Sequence, residues 1–131
     1  MLKSMTVRNI ALIEELDVQF YNGLHVLTGE TGAGKSIVVD SINLVLGERA
    51  DRNLIRTGCE KATVEAIFDI SDNRKILDLL QAESLEADGG LMSVYREISI
   101  NDRNVCRVCG VIVPLTFLRQ VTEILVDIHG Q

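Results

Sequence analysis

One segment of the sequence has the composition and spacing of a phosphate-binding loop. Residues 29–36 read Gly-Glu-Thr-Gly-Ala-Gly-Lys-Ser, which fits the pattern Gly-x-x-x-x-Gly-Lys-Ser. Glycines let the backbone turn so that successive N–H groups point at an anion, and they leave room for a phosphate to approach. Lys35 would supply a mobile positive charge to the β- and γ-phosphates, and Ser36 would supply a hydroxyl to Mg²⁺. The segment therefore predicts a site for a nucleotide and its magnesium ion.

All the residues of this loop are candidate ligands of the nucleotide. They are Gly29, Glu30, Thr31, Gly32, Ala33, Gly34, Lys35 and Ser36. Lys35 is also the predicted catalytic cation, and Ser36 is a predicted metal ligand. The alternative is a glycine-rich surface turn that carries a Lys-Ser pair by chance.

The flanking sequence decides between these two interpretations, because a phosphate loop follows a buried strand and opens a helix. Residues 24–28 are short and mostly apolar, which predicts the strand. Residues 37–46 predict the helix, since four apolar side chains recur at helical spacing and Gly47 follows as a plausible C-cap. These four are Val38, Ile42, Val45 and Leu46.

Composition and charge restrict the class of protein. The chain has 131 residues, of which 47% are apolar, enough for one folded domain with a core. It has no apolar run of about 18 residues, so no membrane partner is expected, and its start is typical of a first strand, not of a signal peptide. The net charge of −6 argues against a strong, independent DNA-binding surface. A cytoplasmic location is expected.

Alternating apolar and polar residues predict strands with one covered face at 16–20, 62–70 and 92–100, and a further strand at 103–109. A short helix is predicted at 72–82, with Asp72 as a possible N-cap.

A second helix is predicted to begin at Pro114, and the apolar run 124–128 predicts a strand buried on both faces. This strand and the one at 24–28 would be neighbours in a parallel core. The predicted fold class is thus α/β, a single lobe with parallel core strands plus an antiparallel β layer.

Gln131 would follow the predicted strand 124–128 at its carboxyl end, where ligands bind in such sheets. An amide there can bind the metal through its oxygen and orient an attacking water. Alternatively, Gln131 is a terminal residue without such a role.

Arg96 falls on the apolar side of the strand predicted at 92–100. One interpretation places it at the sheet margin, with its stem packed and its head in water or paired with an acid. The other makes it a contact to a phosphate or a partner. The first is favoured for a lone arginine on a strand.

The sequence has three cysteines, and Cys106 and Cys109 form a Cys-x-x-Cys pair. Tetrahedral zinc needs about four ligands, and the sequence offers no second pair. A redox pair belongs at a helix N-terminus, whereas this one lies in an expected strand. Structural, reduced cysteines are therefore favoured over a metal or redox site.

Five segments, taken in order, resemble the start of the RecN family, the bacterial SMC-like ATPases of DNA double-strand-break repair. They are residues 5–13, 27–36, 46–51, 55–58 and 126–131. The sequences Gly-Glu-Thr-Gly-Ala-Gly-Lys-Ser and His-Gly-Gln are together quite specific, and the resemblance is weakest over 72–114.

The resemblance implies the N-terminal lobe of an ABC-type ATPase head, with ATP and Mg²⁺ as cofactors. Residues 29–36 then match the Walker A loop, and Gln131 matches the Q-loop glutamine that contacts the metal and the water. Arg56 matches the arginine that SMC-like heads place near the nucleotide. Arg8 and Asn9 lie where such heads begin to border it.

The same family carries a Walker B segment, a signature loop and a coiled coil, and this sequence contains none of them. The chain is therefore expected to be a fragment of a longer, nucleoid-associated protein. The implied partners are the C-terminal lobe of the same protein, a second head in a homodimer, and DNA through the full-length protein. Hydrolysis would need both the C-terminal lobe and the second head, so the isolated chain is expected to bind nucleotide weakly and to hydrolyse almost none.

Two other functions remain open from the sequence. A small-molecule kinase would need a lid with arginines, but the polar stretch 83–90 is acidic and contains no arginine. A non-catalytic interaction module would keep the loop only as a structural element.

Overall fold

The computed structural model describes residues 1–20 and 32–129, with side chains described over 1–20 and 36–126. Within these ranges the chain forms a six-stranded sheet, a short 3-10 turn and three helices. The strands are β1 (Leu2–Ile10), β2 (Ile13–Gln19), β3 (Lys61–Asp69), β4 (Leu91–Ser99), β5 (Val105–Val108) and β6 (Val111–Ile112). The helices are α1 (Gly32–Val45), α2 (Arg74–Ala82) and α3 (Leu115–His129), and the 3-10 turn is Arg52–Leu54.

Each neighbouring pair of described strands is antiparallel, and the strand order is β2-β1-β3-β4-β5-β6. β3 and β4 pair along their whole length, so that Val64 lies opposite Arg96. The alternating patterns at 62–70 and 92–100 thus predicted the two central strands. The patterns at 16–20 and 103–109 overlap β2 and β5.

The core lies between one face of this sheet and the helices. The residues of the covered face alternate along each strand, as the period of a strand requires. They include Met5, Val7, Ala62, Val64, Ala66, Met92, Val94, Ile98 and Val108, all buried. α1 contacts β3 and β4, α3 contacts β5, and α2 packs on α3. None of the helices within residues 32–129 has the length and apolarity that a membrane span requires.

α1 confirms the helix that was predicted after the phosphate-binding motif. It begins at Gly32, inside the motif, and ends at Val45. Val38 and Val45 are buried against the sheet. Gly47 follows with a φ of 99°, a left-handed conformation that glycine adopts easily, as expected of a C-cap. The strand predicted at 24–28 lies outside the described residues.

The predicted strand at 124–128 is wrong, because α3 runs from Leu115 through this segment to His129. Only Leu125 of the segment's described side chains is buried, whereas Val126 is 49% exposed. Leu125 continues a helical stripe of buried residues, Leu118, Val121 and Thr122. A short apolar run cannot distinguish a buried strand from one turn of an amphipathic helix. The predicted parallel pairing of 124–128 with 24–28 is therefore wrong as well.

α2 confirms the predicted short helix, but its N-cap is Asn73 and not Asp72. The Asn73 side-chain oxygen accepts a hydrogen bond from the Ile76 N–H at 3.1 Å. Asp72 is exposed, one position too early to make this bond. Ile76 and Leu80 form the buried face of α2.

Replacing Asn73 with Ala should lower the free energy of unfolding by about 1 kcal/mol, because the Ile76 N–H loses its acceptor. Asp72→Ala is the matched control and should change it by less than about 0.5 kcal/mol, as expected of an exposed residue without a capping bond. Urea denaturation of the purified chain measures both. Equal losses in the two variants would contradict the assignment of the cap.

Candidate functional site

The described part of the phosphate-binding motif is the N-terminal end of α1. The backbone of Gly32 to Lys35 forms the first helical turn, and Ser36 follows with an exposed side chain. Gly29, Glu30, Thr31 and Gln131 lie outside the described residues, as does the side chain of Lys35. The first N–H groups of a helix have no partner within it, and they carry the positive end of the helix dipole. This end of α1 is therefore a suitable place for an anion.

Arg56 is tied through its backbone to the last residues of β1, next to the turn that leads to β2. Its N–H donates a hydrogen bond to the Asn9 carbonyl at 2.8 Å, and the Ala11 N–H donates to the Leu54 carbonyl at 2.7 Å. Asn9 and Ala11 both have positive φ, 59° and 53°, which gives this turn its shape. Of the residues that the family resemblance places near a nucleotide, Arg56 and Asn9 are thus brought together.

Arg8 has a different environment. Its Nε lies 3.5 Å from Oε1 of Glu15, and both side chains are more than half exposed. Such a surface ion pair contributes at most about 1 kcal/mol and breaks readily. The structure therefore adds no support for a nucleotide contact by Arg8.

Arg96 contradicts both interpretations that the sequence suggested for its head group. The residue is only 3% exposed. Its Nη1 donates hydrogen bonds to the carbonyl oxygens of Leu44, at 2.6 Å, and Glu48, at 3.0 Å. Arg96 therefore binds the C-terminal end of α1 instead of water, an acid or a phosphate. Its position on the covered face of β4 was the signal for burial, but no feature of the sequence indicated the carbonyl partners.

A second arginine binds the same helix end. The Nε of Arg119, on α3, donates a hydrogen bond to the Gly47 carbonyl at 2.9 Å. A Cβ on Gly47 would lie 2.9 Å from Cγ of Arg119, so the two residues are closely packed. No pattern in the sequence distinguishes Arg119, because it is a lone arginine on an amphipathic helix.

The backbone of α1 ends in a Schellman motif. The Glu48 N–H donates to the Asn43 carbonyl at 3.0 Å, and the Gly47 N–H donates to the Leu44 carbonyl at 3.1 Å. Arg96 and Arg119 add donors to the carbonyls of Leu44, Gly47 and Glu48. Cations at this end also interact favourably with the negative end of the helix dipole.

Burial is the main cause that lowers the pKa of the Arg96 guanidinium; Cys106 raises it and the nearby Arg119 cation lowers it. An arginine nevertheless stays protonated at neutral pH. A buried positive charge is costly without compensation. Here the compensation comes from main-chain carbonyl oxygens. The guanidinium gains acceptors, and the carbonyls at the end of α1 gain donors.

The two cysteines of the Cys-x-x-Cys pair favour the structural interpretation. Cys106 is buried on β5 opposite Arg96, and Cys109 lies in the turn that follows β5. Burial raises the pKa of both thiols, which keeps them protonated and unreactive at neutral pH. Among the side chains that the structure describes, no group of three or more potential ligands is arranged to hold a metal ion.

Comparisons with known proteins agree with this arrangement. The sequence profile of the AAA domain family matches residues 4–106. The DNA repair protein RecN of Bacillus subtilis (strain 168) is 40% identical over 131 residues, 100% of this chain and 23% of that protein. The RecN protein of Vibrio cholerae is 35% identical over 132 residues, 100% of this chain and 24% of that protein. The chain thus spans about a quarter of the length of these curated relatives.

Solved structures of ATPase heads are similar in fold. A chain from work on ATP-driven dimerization and DNA-stimulated activation of SMC ATPases has a TM-score of 0.73 and 16% identity, covering 94% of this chain and 78% of that one. The recombination mediator protein RecF, in the structure named RecF-ATPrS, has a TM-score of 0.67 and 18% identity, covering 90% of this chain and 29% of that one. The SMC head domain of Thermotoga maritima has a TM-score of 0.63 and 22% identity, covering 91% of this chain and 41% of that one. At these identities the likeness shows a shared fold.

Replacing Gly47 with Ala should destabilise the chain for two reasons. An L-residue in the left-handed region costs about 1–2 kcal/mol, and the new Cβ would have to displace Arg119. Gly58→Ala is the matched control, since Gly58 has a φ of 90° and a Cβ added there would meet nothing within 4 Å. Thermal and urea unfolding should show a larger loss for Gly47→Ala. A loss that is equal in both variants would show that the packing of Arg119 on Gly47 has no energetic weight.

Proposed function

This chain belongs to the AAA domain family, and from that membership we propose that it is the N-terminal lobe of an SMC-like ATPase head that binds ATP and Mg²⁺. It has the ABC-type ATPase head fold of SMC and RecF proteins. The observation that carries the proposal is that Gly32 to Lys35 form the first turn of a helix packed on the sheet, and Ser36 follows this turn. A phosphate-binding loop has to open a helix in this way.

The residues at this helix end fit the cofactors. Lys35 binds the β- and γ-phosphates in this proposal, and the exposed Ser36 offers its hydroxyl as a magnesium ligand. Bound magnesium would neutralise charge on the phosphate oxygens. The backbone N–H groups of residues 29–34 would bind the phosphates, since their positive ends suit an anion.

Two further residues complete the proposed nucleotide site. Arg56, fixed through its backbone to Asn9, lies near the nucleotide, and its charge suits a polyphosphate. Gln131 contacts the metal and orients the attacking water. We place the catalytic base outside this chain, which spans 23% of the length of the Bacillus subtilis relative, so that phosphoryl transfer would need groups that this lobe does not supply.

In this proposal the biological role follows the relatives that match the whole chain. They are named DNA repair proteins, and we assign this chain to DNA double-strand-break repair and recombination in the bacterial cytoplasm, in association with the nucleoid. The C-terminal lobe of the same protein and a second head in a homodimer complete the hydrolytic site, and DNA binds through the full-length protein. Neither a small-molecule kinase nor a non-catalytic module is favoured by any comparison.

Titration of the purified chain with fluorescent ATP should show saturable binding that is stronger with Mg²⁺ than without it. Lys35→Ala should weaken binding about 10- to 100-fold, the equivalent of one lost charged hydrogen bond. Lys75→Ala removes the same charge from the exposed face of α2 and is the matched control, with an unchanged Kd. A chain with a folded circular dichroism spectrum and no nucleotide binding would overturn the proposal.

Hydrolysis by the isolated chain should be almost undetectable, because the proposal places the catalytic base and the opposite head outside this chain. A phosphate-release assay with the chain alone checks this expectation. Turnover that disappears in the Lys35→Ala variant would contradict it, since the activity would then belong to this lobe. Gln131→Ala should change the Kd for ATP less than Lys35→Ala does, since Gln131 is expected to contact metal and water more than phosphate.

A further inference from the structure

We infer that Arg96 and Arg119 are positioning residues of the nucleotide site, which they influence through the C-terminal end of α1. The inference rests on the proposed function, because it assumes that the N-terminal end of α1 binds the phosphates. α1 is 14 residues long, which corresponds to about 21 Å at 1.5 Å per residue. Neither guanidinium can therefore touch a nucleotide at the other end of this helix, and any effect must pass through the helix itself.

The contacts of Arg96 fix α1 in a way that its apolar packing does not. Val38 and Val45 hold the helix against the sheet, but apolar burial is non-directional and specifies no donor–acceptor geometry. Hydrogen bonds depend on direction and distance. Arg96 makes two of them to α1's C-terminal segment, at 2.6 and 3.0 Å. They therefore fix the height and rotation of α1 relative to β4.

The anchor of Arg96 is itself rigid. β4 is paired on both sides, with β3 and with β5, and Arg96 lies opposite Val64 on one strand and Cys106 on the other. The guanidinium is buried and binds two carbonyls at once, so it has little freedom to follow a moving helix. A shift of the helix end would leave a buried cation with poorly aligned acceptors, which is costly.

Arg119 connects the same helix end to α3. Its hydrogen bond to the Gly47 carbonyl is 2.9 Å long, and its stem packs where a Cβ on Gly47 would stand. α3 continues to His129, and Gln131 follows it in the sequence. The C-terminal end of α1 is thus bound by β4 through Arg96 and by α3 through Arg119. In the sequence, α3 is followed by Gln131, the residue proposed to orient water.

The test compares nucleotide affinity with stability in the purified chain. Arg96→Met keeps an apolar stem of similar length without donors, and it should raise the Kd for fluorescent Mg-ATP about tenfold or more. Arg96→Lys retains the charge with different donor geometry and should restore part of the affinity. Leu80→Ala is the control, since Leu80 is a buried residue of α2 whose loss lowers Tm without removing a bond to α1. Its Kd should stay within about twofold of wild type.

Arg119→Ala provides a second variant that is expected to fold, because Arg119 is an exposed residue. It should raise the Kd about threefold, less than Arg96→Met, since one hydrogen bond near solvent is lost. Gln120→Ala, the exposed neighbour on α3, should leave the Kd unchanged. The inference is overturned if the Kd of the arginine variants equals that of wild type, or if it rises only as far as it does in Leu80→Ala at the same loss of Tm.

Amide hydrogen exchange without nucleotide separates this inference from the proposed function. In Arg96→Met the amides of residues 37–40, in the middle of α1, should exchange about fivefold faster relative to β3 than they do in Leu80→Ala. If wild type binds no ATP, the proposed function fails while this measurement still shows whether Arg96 holds the helix. Unchanged exchange in α1 would overturn the inference even if ATP binds.

Discussion

The buried C-terminal end of α1 imposes the constraint on which the rest of the arrangement depends. The last carbonyl groups of a helix have no partners within it, and in the interior they have no water to bind. Here they are satisfied by the Schellman motif around Gly47, by Arg96 from the sheet and by Arg119 from α3. Three separate parts of the chain therefore supply hydrogen bonds to this end of α1.

The antiparallel sheet explains why this constraint can be met. β3 and β4 pair over their full length, and the alternation of their residues places an entire row of side chains on the face that α1 covers. Arg96 belongs to this row, so its direction follows from the strand period alone. Elsewhere on the sheet, the last residues of β1 hold Arg56 through its backbone. Local strand geometry thus positions both the anchor of α1 and a candidate nucleotide contact.

The sequence predicted those elements whose evidence is local. Alternation identified β3 and β4, and the phosphate-binding motif with its helical spacing identified α1. The strand predicted at 124–128 is wrong, because a short apolar run is compatible with either a buried strand or a helix. Packing on the core favours the helix α3. The partners of Arg96 lie 52 and 48 residues away in sequence, at the C-terminal end of the helix that covers the sheet. No local pattern encodes such a contact, and the cap at Asn73 differs from the predicted one by a single position that only geometry decides.

In the proposed function, a chain with a net charge of −6 binds a triphosphate, and it therefore needs a local source of positive potential. Charges beyond a Debye length of about 8 Å are largely screened at physiological ionic strength, so the distribution near the phosphates matters more than the total. The two ends of α1 have different roles in this arrangement. Its N-terminal end offers the unpaired N–H groups of a first helical turn, followed by Ser36, with Lys35 adjacent in sequence. Its C-terminal carbonyls are bound by the buried guanidinium of Arg96 and by that of the exposed residue Arg119, which stabilise the helix at its negative end. The cations that hold α1 in place and the groups proposed to bind phosphate are therefore different, and each can be altered without directly removing the other.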